Sequence, residues 1–260
     1  PPTQYLRTCL YIYTFNFHYR VAIHAYFRLQ SEADTLYIHS NGSVNDVLQL
    51  SNFEDVALKY GTDKVTTHKY QFMYEKYLPS IRGLPVKMLE IGLGCNMDYG
   101  PGASYFTWLE YFPFVELYFI EIDSGCVIKY RENITRAHVF VGDQSNVGFL
   151  ELVAANATAS GLFDLIIDDG GHTMKQQITS LEHLWPKIKP GGFYFIEDLQ
   201  TSYLPDYGGA RSTKDTAIIT TMNYIKELLC DMMLGQRNKP VSRDLLSVDC
   251  MAEICTLQKC

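Results

Sequence analysis

The chain has 260 residues, of which 47% are hydrophobic and 20% are charged, and its formal net charge is -7. This length and composition exclude a disordered or fibrous chain and suit one large α/β domain with appended segments. The acidic balance, without any block of Lys and Arg, argues against nucleic acid and anionic membranes as partners.

The first 50 residues show little readable pattern. We expect residues 1–50 to form a short helical or irregular N-terminal extension to a domain over residues 51–260. The aromatic stretch 10–27 contains His18, Arg20 and His24, which makes it too polar for a membrane-spanning helix. It also lacks the layout of a signal peptide, although an anchor or signal before residue 1 stays open.

The seven cysteines are scattered and show no CxxC metal spacing. This pattern favours free, mostly buried thiols in a reducing compartment, and the expected location is cytoplasmic. Sequons at Asn41, Asn133 and Asn156 occur at the rate that chance allows, so they add little in favour of secretion.

Helical and strand patterns alternate from residue 52 onward. Apolar residues at helical spacing predict helices over 52–60, 69–78, 108–112, 150–159, 173–185 and 216–234. Apolar runs bounded by turn residues predict strands over 86–91, 115–122, 138–141, 163–167, 192–196, 246–250 and 254–257. A Pro190-Gly191-Gly192 turn is expected to introduce the fifth strand. The alternation predicts a mostly parallel seven-stranded sheet with helices on both faces.

Ligands of such sheets bind at the carboxyl ends of the strands. The first strand ends Glu90-Ile-Gly92-Leu-Gly94, where glycine lets the backbone approach a ligand, although a plain tight turn explains it as well. Glu121 ends the second strand, where an acidic side chain can accept hydrogen bonds from a ribose, and Asp123 is the rival candidate.

Polar groups follow the remaining strands. Asp143 and Gln144 come after the third strand and suit an adenine edge, although a simple turn explains them nearly as well. Asp168-Asp169-Gly170-Gly171-His172 and Glu197-Asp198 follow the fourth and fifth strands. Carboxylates this close repel one another unless a cation lies among them. Helix capping accounts for one or two of them, and hard oxygen ligands favour Mg²⁺, Mn²⁺ or Ca²⁺.

These motifs resemble those of a known family. The segments Glu90-Ile-Gly-Leu-Gly, Ile120-Glu-Ile-Asp and Gly142-Asp-Gln resemble the cofactor motifs of class I S-adenosylmethionine methyltransferases. More narrowly, the chain resembles the macrolide sugar O-methyltransferases over roughly residues 52–235. Three further segments carry this resemblance, namely Tyr60-Gly-Thr-Asp-Lys64 with His68 and Tyr70, Asp168-Asp-Gly-Gly-His172, and Glu197-Asp-Leu-Gln-Thr-Ser-Tyr203.

The resemblance implies a Rossmann-like methyltransferase fold with S-adenosylmethionine as cofactor. It implies Mg²⁺, or Mn²⁺, held by Asp169, Glu197 and Asp198, with His172 as general base and Glu121 on the ribose. The other cofactor candidates are Glu90, Gly92, Asp123, Asp143, Gln144 and Asp168, together with Thr62, Asp63 and His68 from the segment over the cofactor.

The expected function is therefore metal-dependent O-methylation of a hydroxyl on a sugar or another small molecule of secondary metabolism. The family shows an aromatic residue where this chain has Leu204, so the acceptor can differ. Related enzymes are often multimeric, which makes a homo-oligomer an expectation. Two alternatives stay open, namely another metal-using enzyme on the same fold and a non-catalytic cofactor-binding protein.

Overall fold

The computed structural model describes residues 51–212 and 217–260, so the extension expected over residues 1–50 lies outside the described residues. Residues 52–259 form one compact unit. Within the described ranges, no helix combines the length and the apolar character that crossing a membrane requires.

Among the described residues, seven strands, numbered β1 to β7 along the chain, form one sheet in the order β3-β2-β1-β4-β5-β7-β6. The first five in chain order run parallel, whereas β7 is antiparallel to β5 and to β6. The strands are β1 Val86–Ile91, β2 Val115–Glu121, β3 Ala137–Val141, β4 Phe163–Asp168, β5 Ile188–Ile196, β6 Leu245–Met251 and β7 Ile254–Lys259. The predicted mostly parallel sheet is confirmed. Its order reverses between β1 and β4, where a crevice opens at the carboxyl ends of the strands.

Helices cover both faces of the sheet because successive strand residues point to opposite sides. In β4, Leu165 and Ile167 pack into one buried cluster and Ile166 packs into the other. The helices are α1 Phe53–Tyr60, α2 Asp63–Thr66, α3 Gln71–Tyr77, α4 Ala103–Tyr111, α5 Ser124–Tyr130, α6 Val147–Ala157, α7 Met174–Leu184 and α8 Thr221–Leu234.

Three predicted boundaries are wrong by four residues or more, and the first is the start of α4, which lies at Ala103 and not at residue 108. The last helix begins at Thr221, capped by the Thr220 hydroxyl, which accepts a hydrogen bond from the Asn223 amide at 3.1 Å. The fifth strand begins at Ile188, so the Pro190-Gly191-Gly192 segment lies inside β5. The pairing register of β4 and β5 shifts there, and a bulge accommodates proline and a left-handed glycine in a strand.

The prediction of free thiols is wrong for five of the described cysteines, of which Cys260 is one. Cys95 pairs with Cys126, and Cys250 pairs with Cys255. In the part of the chain that the structure describes, Cys230 is the free cysteine, and it is exposed. Chain spacing cannot show these pairs because a disulfide requires two Cα atoms within about 7 Å, which the fold alone decides.

Candidate active site

A cavity of about 590 Å³ opens at the carboxyl ends of β1, β2, β4 and β5. Its volume is in the range of a small-molecule site. Nine of the candidate site residues from the sequence line it, namely Thr62, Asp63, Gly92, Glu121, Asp123, Gln144, Asp169, His172 and Asp198. The structure thus brings both groups of candidates, those after β1 to β3 and those after β4 and β5, to one opening.

Glu121 joins the loops that follow β1 and β2. One carboxylate oxygen accepts the Leu93 amide at 3.0 Å, and the other accepts the Ile122 and Asp123 amides at 2.7 and 2.9 Å. Glu121 is only 7% exposed, and the three amide donors hold its side chain in that position. This carboxylate therefore holds both loops and still faces the cavity.

Gly92 is a position where only glycine fits. Its φ is 99°, and a Cβ atom there would collide with the carbonyl oxygen of Asp169. The ends of β1 and β4 are this close because the Asp169 amide donates to the Ile91 carbonyl at 3.0 Å. The glycine turn therefore reflects strand packing as well as access to the cavity.

Gln144 connects β3 to the loop that follows β4. Its amide nitrogen donates to Asp168 and Ser180, both at 2.9 Å, and its oxygen accepts the Gly171 amide at 2.9 Å. Asp168 is fully buried behind the cavity, where the Tyr194 hydroxyl also donates to it. Burial raises the pKa of Asp168 to about 6, although these hydrogen bonds oppose the shift.

Asp169, His172 and Asp198 form a candidate metal centre. Each offers one ligand atom, and the three atoms lie within 4.8 Å of one another. His172 Nε2 is 3.4 Å from Asp198 Oδ2 and 3.9 Å from Asp169 Oδ1. His172 and Asp198 both have left-handed backbones, with φ of 57° and 54°. Such strain in non-glycine residues is typical of functional sites.

The donor set fits a divalent cation. The two carboxylates are hard oxygen ligands that suit Mg²⁺ and Mn²⁺, whereas an imidazole suits softer transition metals. His172 Nδ1 is buried and finds no hydrogen-bond partner among the described residues. A buried polar atom without a partner is unfavourable unless a ligand completes its surroundings, so this atom agrees with a site built for an additional group.

Glu197 lies deeper than the other predicted metal ligands. Lys64 Nζ is 2.5 Å from Glu197 Oε2, 2.6 Å from Asp169 Oδ2 and 3.4 Å from Glu90 Oε1. The Tyr74 hydroxyl also donates to Glu197. Burial opposes the charge of Lys64, but the three carboxylates raise its pKa well above the ordinary value. Lys64 is therefore the internal cation of this cluster, which we call the Lys64 cluster (Lys64, Glu90, Asp169 and Glu197).

Sequence reasoning missed the role of Lys64. The residue is part of the Tyr60-Gly-Thr-Asp-Lys64 motif, so a signal was present. A lysine at the start of a short helix is ordinarily solvated, whereas Lys64 is 1% exposed. Only the tertiary packing of α2 against the ends of β1, β4 and β5 shows that its charge is internal.

Four predicted cofactor residues lie outside the cavity lining, namely His68, Glu90, Asp143 and Asp168. Glu90 is buried and accepts hydrogen bonds from Ser104 Oγ at 2.8 Å and Trp108 Nε1 at 3.0 Å. Burial raises the pKa of Glu90 to about 7, with Lys64 opposing the shift. Asp143 accepts the amide and the hydroxyl of Ser145 at 2.7 and 2.8 Å. Both carboxylates support the loops from behind.

His68 connects the site to the C-terminal hairpin. Its Nδ1 is 2.7 Å from Glu253 Oε2, and its Nε2 is 3.6 Å from Asp198 Oδ1. The Tyr70 ring stacks on His68 at 4.7 Å, and the Tyr70 hydroxyl donates to Asp198 Oδ1 at 3.2 Å. Glu253 lies between β6 and β7, and sequence analysis did not identify it. The hairpin therefore helps to orient Asp198.

The sheet order, the glycine turn after β1 and the acidic end of β2 together define a Rossmann-like methyltransferase fold.

No family model matches the sequence. The chain is 36% identical over 188 residues to the 8-demethyl-8-(2-methoxy-alpha-L-rhamnosyl)-tetracenomycin-C 3'-O-methyltransferase of Streptomyces olivaceus, a match to 71% of this chain and 46% of that one. It is 30% identical over 181 residues to the mycinamicin VI 2''-O-methyltransferase of Micromonospora griseorubida, which covers 68% and 43%.

Solved structures give the same result. The MycE methyltransferase of the mycinamycin pathway, in complex with Mg and SAH, matches 81% of this chain and 54% of its own with a TM-score of 0.73 and 26% identity. The same enzyme with Mg, SAH and mycinamycin VI has a TM-score of 0.71 and 27% identity, over 81% and 55%. The chain is therefore identified as a relative of the sugar O-methyltransferases that include the mycinamicin enzyme, and it spans about half the length of these relatives.

Proposed function

We propose that this domain is a metal-dependent O-methyltransferase that uses S-adenosylmethionine to methylate a hydroxyl of a sugar or another small molecule. One observation supports it above the others. Asp169, His172 and Asp198 face the same cavity as Gly92 and Glu121. A methyl donor bound at the ends of β1 and β2 would thus lie beside an acceptor at the ends of β4 and β5.

The cofactor side is assigned by lining and resemblance together. Glu121 would accept hydrogen bonds from the ribose, with Asp123 next to it, and Gln144 would face the adenine. The complexes of MycE with SAH, at 26% identity, support this assignment. Thr62 lines the same cavity, whereas Glu90, Asp143 and Asp168 would act by supporting the loops.

The metal would be held by Asp169 and Asp198, with Glu197 completing the set. When bound, Mg²⁺ or Mn²⁺ would bind the acceptor hydroxyl, lower its pKa and fix its direction. The carboxylate of Glu197 contacts Lys64 and Tyr74, so its use as a ligand requires those contacts to be shared. The MycE complexes, which contain Mg, support a metal in this family.

His172 is the proposed general base. An imidazole can take a proton near neutral pH, and its Nε2 faces Asp198 at 3.4 Å. Asp198 would stabilise the imidazolium that forms when the acceptor hydroxyl loses its proton. Half-burial of His172 in the cavity wall keeps the ring within reach of an acceptor.

The proposed acceptor is a glycosylated small molecule, as the names of the relatives suggest for those enzymes. Leu204 lines the cavity on the side of His172 and Asp198, and an aliphatic residue there changes the shape of the acceptor pocket. A homo-oligomer stays a prediction. The two disulfides favour maturation in an oxidising compartment over the expected cytoplasmic location.

Calorimetric titration of S-adenosylhomocysteine, with and without Mg²⁺, tests the cofactor site. We expect wild type to bind and Glu121→Ala to bind about 10- to 100-fold more weakly, because hydrogen bonds to a charged group are lost. Glu132→Ala is the matched control, since Glu132 is an exposed surface glutamate. Binding without turnover on any hydroxylated acceptor would favour a non-catalytic binding protein. No binding by wild type would favour a different ligand on the same fold.

A further inference from the structure

The disulfide Cys95–Cys126 joins the two loops that form one wall of the cavity. Cys95 lies in the loop 92–102 after β1, and Cys126 lies in the first turn of α5, directly after β2. Cys95 lines the cavity together with its neighbours Asn96 and Met97, and Asp123 lines it from the other loop. The bond therefore crosses between two segments that both face the proposed cofactor.

The loop after β1 is rich in flexible positions. Gly92, Gly94, Gly100 and Gly102 all have positive φ, and glycine has more backbone freedom to lose on ordering than any other residue. The two ends of the loop are joined by the Gly102 amide, which donates to the Leu93 carbonyl at 3.1 Å. The middle of the loop thus depends on other attachments for its position.

The attachment point on the other side is rigid by comparison. Asp123 caps α5 by accepting the Cys126 amide at 3.0 Å, which fixes the backbone of Cys126. Its Cα atom is 6.0 Å from that of Cys95, and the two positions have a sequence separation of 31. A crosslink over such a span removes conformational freedom from the segment that it ties down.

We propose that Cys95 and Cys126 are positioning residues whose disulfide pre-orders the wall of the cofactor cavity, so that cofactor affinity depends on the oxidation of this pair. This inference rests on the proposed function. Two thiols lose two protons and two electrons as the S–S bond forms, and a disulfide donor such as oxidised glutathione accepts them and becomes two thiols. Without the bond, cofactor binding must order the loop by itself, which weakens affinity.

Reduction can occur in the folded protein. Both cysteines are half-buried, so a small dithiol reaches the bond without unfolding the domain. The second disulfide, Cys250–Cys255, joins the ends of β6 and β7 only five residues apart, and neither of its cysteines lines the cavity. The chain therefore contains its own matched control.

The experiment measures S-adenosylhomocysteine affinity by calorimetry before and after treatment with dithiothreitol. We expect reduction of wild type to raise the dissociation constant roughly 5- to 30-fold, the factor that corresponds to ordering the backbone of about one residue. The Cys95→Ser/Cys126→Ser variant should bind as weakly as reduced wild type and show no response to dithiothreitol. The Cys250→Ser/Cys255→Ser variant should bind like wild type and keep the response.

Each outcome decides between the two proposals. Equal affinity of oxidised and reduced wild type, or free Cys95 and Cys126 thiols by peptide mapping after oxidation, overturns the inference and leaves the proposed function intact. A response that persists in the Cys95→Ser/Cys126→Ser variant assigns the effect to another disulfide and also overturns it. Absence of binding in every form overturns both. Far-ultraviolet circular dichroism of each variant shows that a loss of affinity is not a loss of fold.

Discussion

The two sides of the cavity differ in whether their charged and polar groups already have hydrogen-bond partners. On the cofactor side, at the ends of β1 and β2, the Glu121 carboxylate is satisfied by three backbone amides. On the metal side, at the ends of β4 and β5, His172 and Asp198 have strained backbones and His172 Nδ1 has no hydrogen-bond partner in the described ranges. The cofactor side is thus complete before a ligand binds, whereas the metal side is arranged around a group still to be added.

The largest effect is expected from His172 on the metal side. His172→Asn should lower the turnover number by about 10²- to 10⁴-fold, the usual contribution of a general base. Asparagine tolerates the left-handed backbone at this position, so the loop should keep its shape. Cofactor affinity, measured by calorimetry, should stay at the wild-type value. Normal turnover in this variant would remove His172 from the mechanism.

Removal of the internal cation should destabilise the metal side next. Lys64→Met leaves the buried Glu197 and the half-buried Asp169 without their partner, and we expect a loss of about 3–5 kcal/mol in the free energy of unfolding. Mg²⁺ should restore part of the lost stability, since a bound cation neutralises the charge of the same carboxylates. Chemical denaturation with and without Mg²⁺ measures both effects.

Lys59→Met is the control for that prediction. Lys59 pairs with Glu110 at the surface, where solvent screens the two charges, so little change is expected and none that depends on Mg²⁺. If Lys64→Met were as stable as this control, the Lys64 cluster would not be held together by its lysine.

The next effect depends on pH. Burial raises the pKa of Glu90 from 4.5 to about 7, so the folded protein binds this proton more tightly than the unfolded chain does. Stability is therefore lost as pH rises from about 4.5 to about 7, by at most about 3 kcal/mol. Glu90→Gln has no carboxyl group at this position and therefore lacks this loss. The melting temperature of the variant minus that of wild type should increase as pH rises through that interval. A difference independent of pH would contradict the assignment.

The smallest effect is expected at a helix cap on the cofactor side. The Asn146 side chain accepts the Phe149 amide at 3.1 Å and caps α6. Asn146→Ala should cost about 1 kcal/mol and lower the melting temperature by about 2–4 °C for a domain of this size. Asn146→Asp retains the cap and should melt like wild type. Turnover should be unchanged in both, because the residue does not line the cavity.

The local sequence determined the parallel strands, several helix boundaries and the candidate residues at the strand ends. Gly61, for example, ends α1 in a left-handed conformation, as a glycine after the last helical turn indicates. These features depend on neighbouring residues, on the hydrophobic period and on turn residues, all of which are local properties of the sequence. The cofactor and the metal were predicted from the resemblance to known methyltransferases, because the order of the motifs is also a property of the amino-acid sequence.

Only the tertiary structure decided which charges meet. Lys64 and Glu197 are 133 positions apart, yet their side chains are 2.5 Å apart. The same holds for His68 with Glu253, and for Cys95 with Cys126. Ion pairs and disulfides join atoms across the ends of different strands, and no local pattern encodes such a distance. The sequence therefore determined which groups stand at the edge of the sheet, and packing decided which of them are already paired and which are left for a ligand.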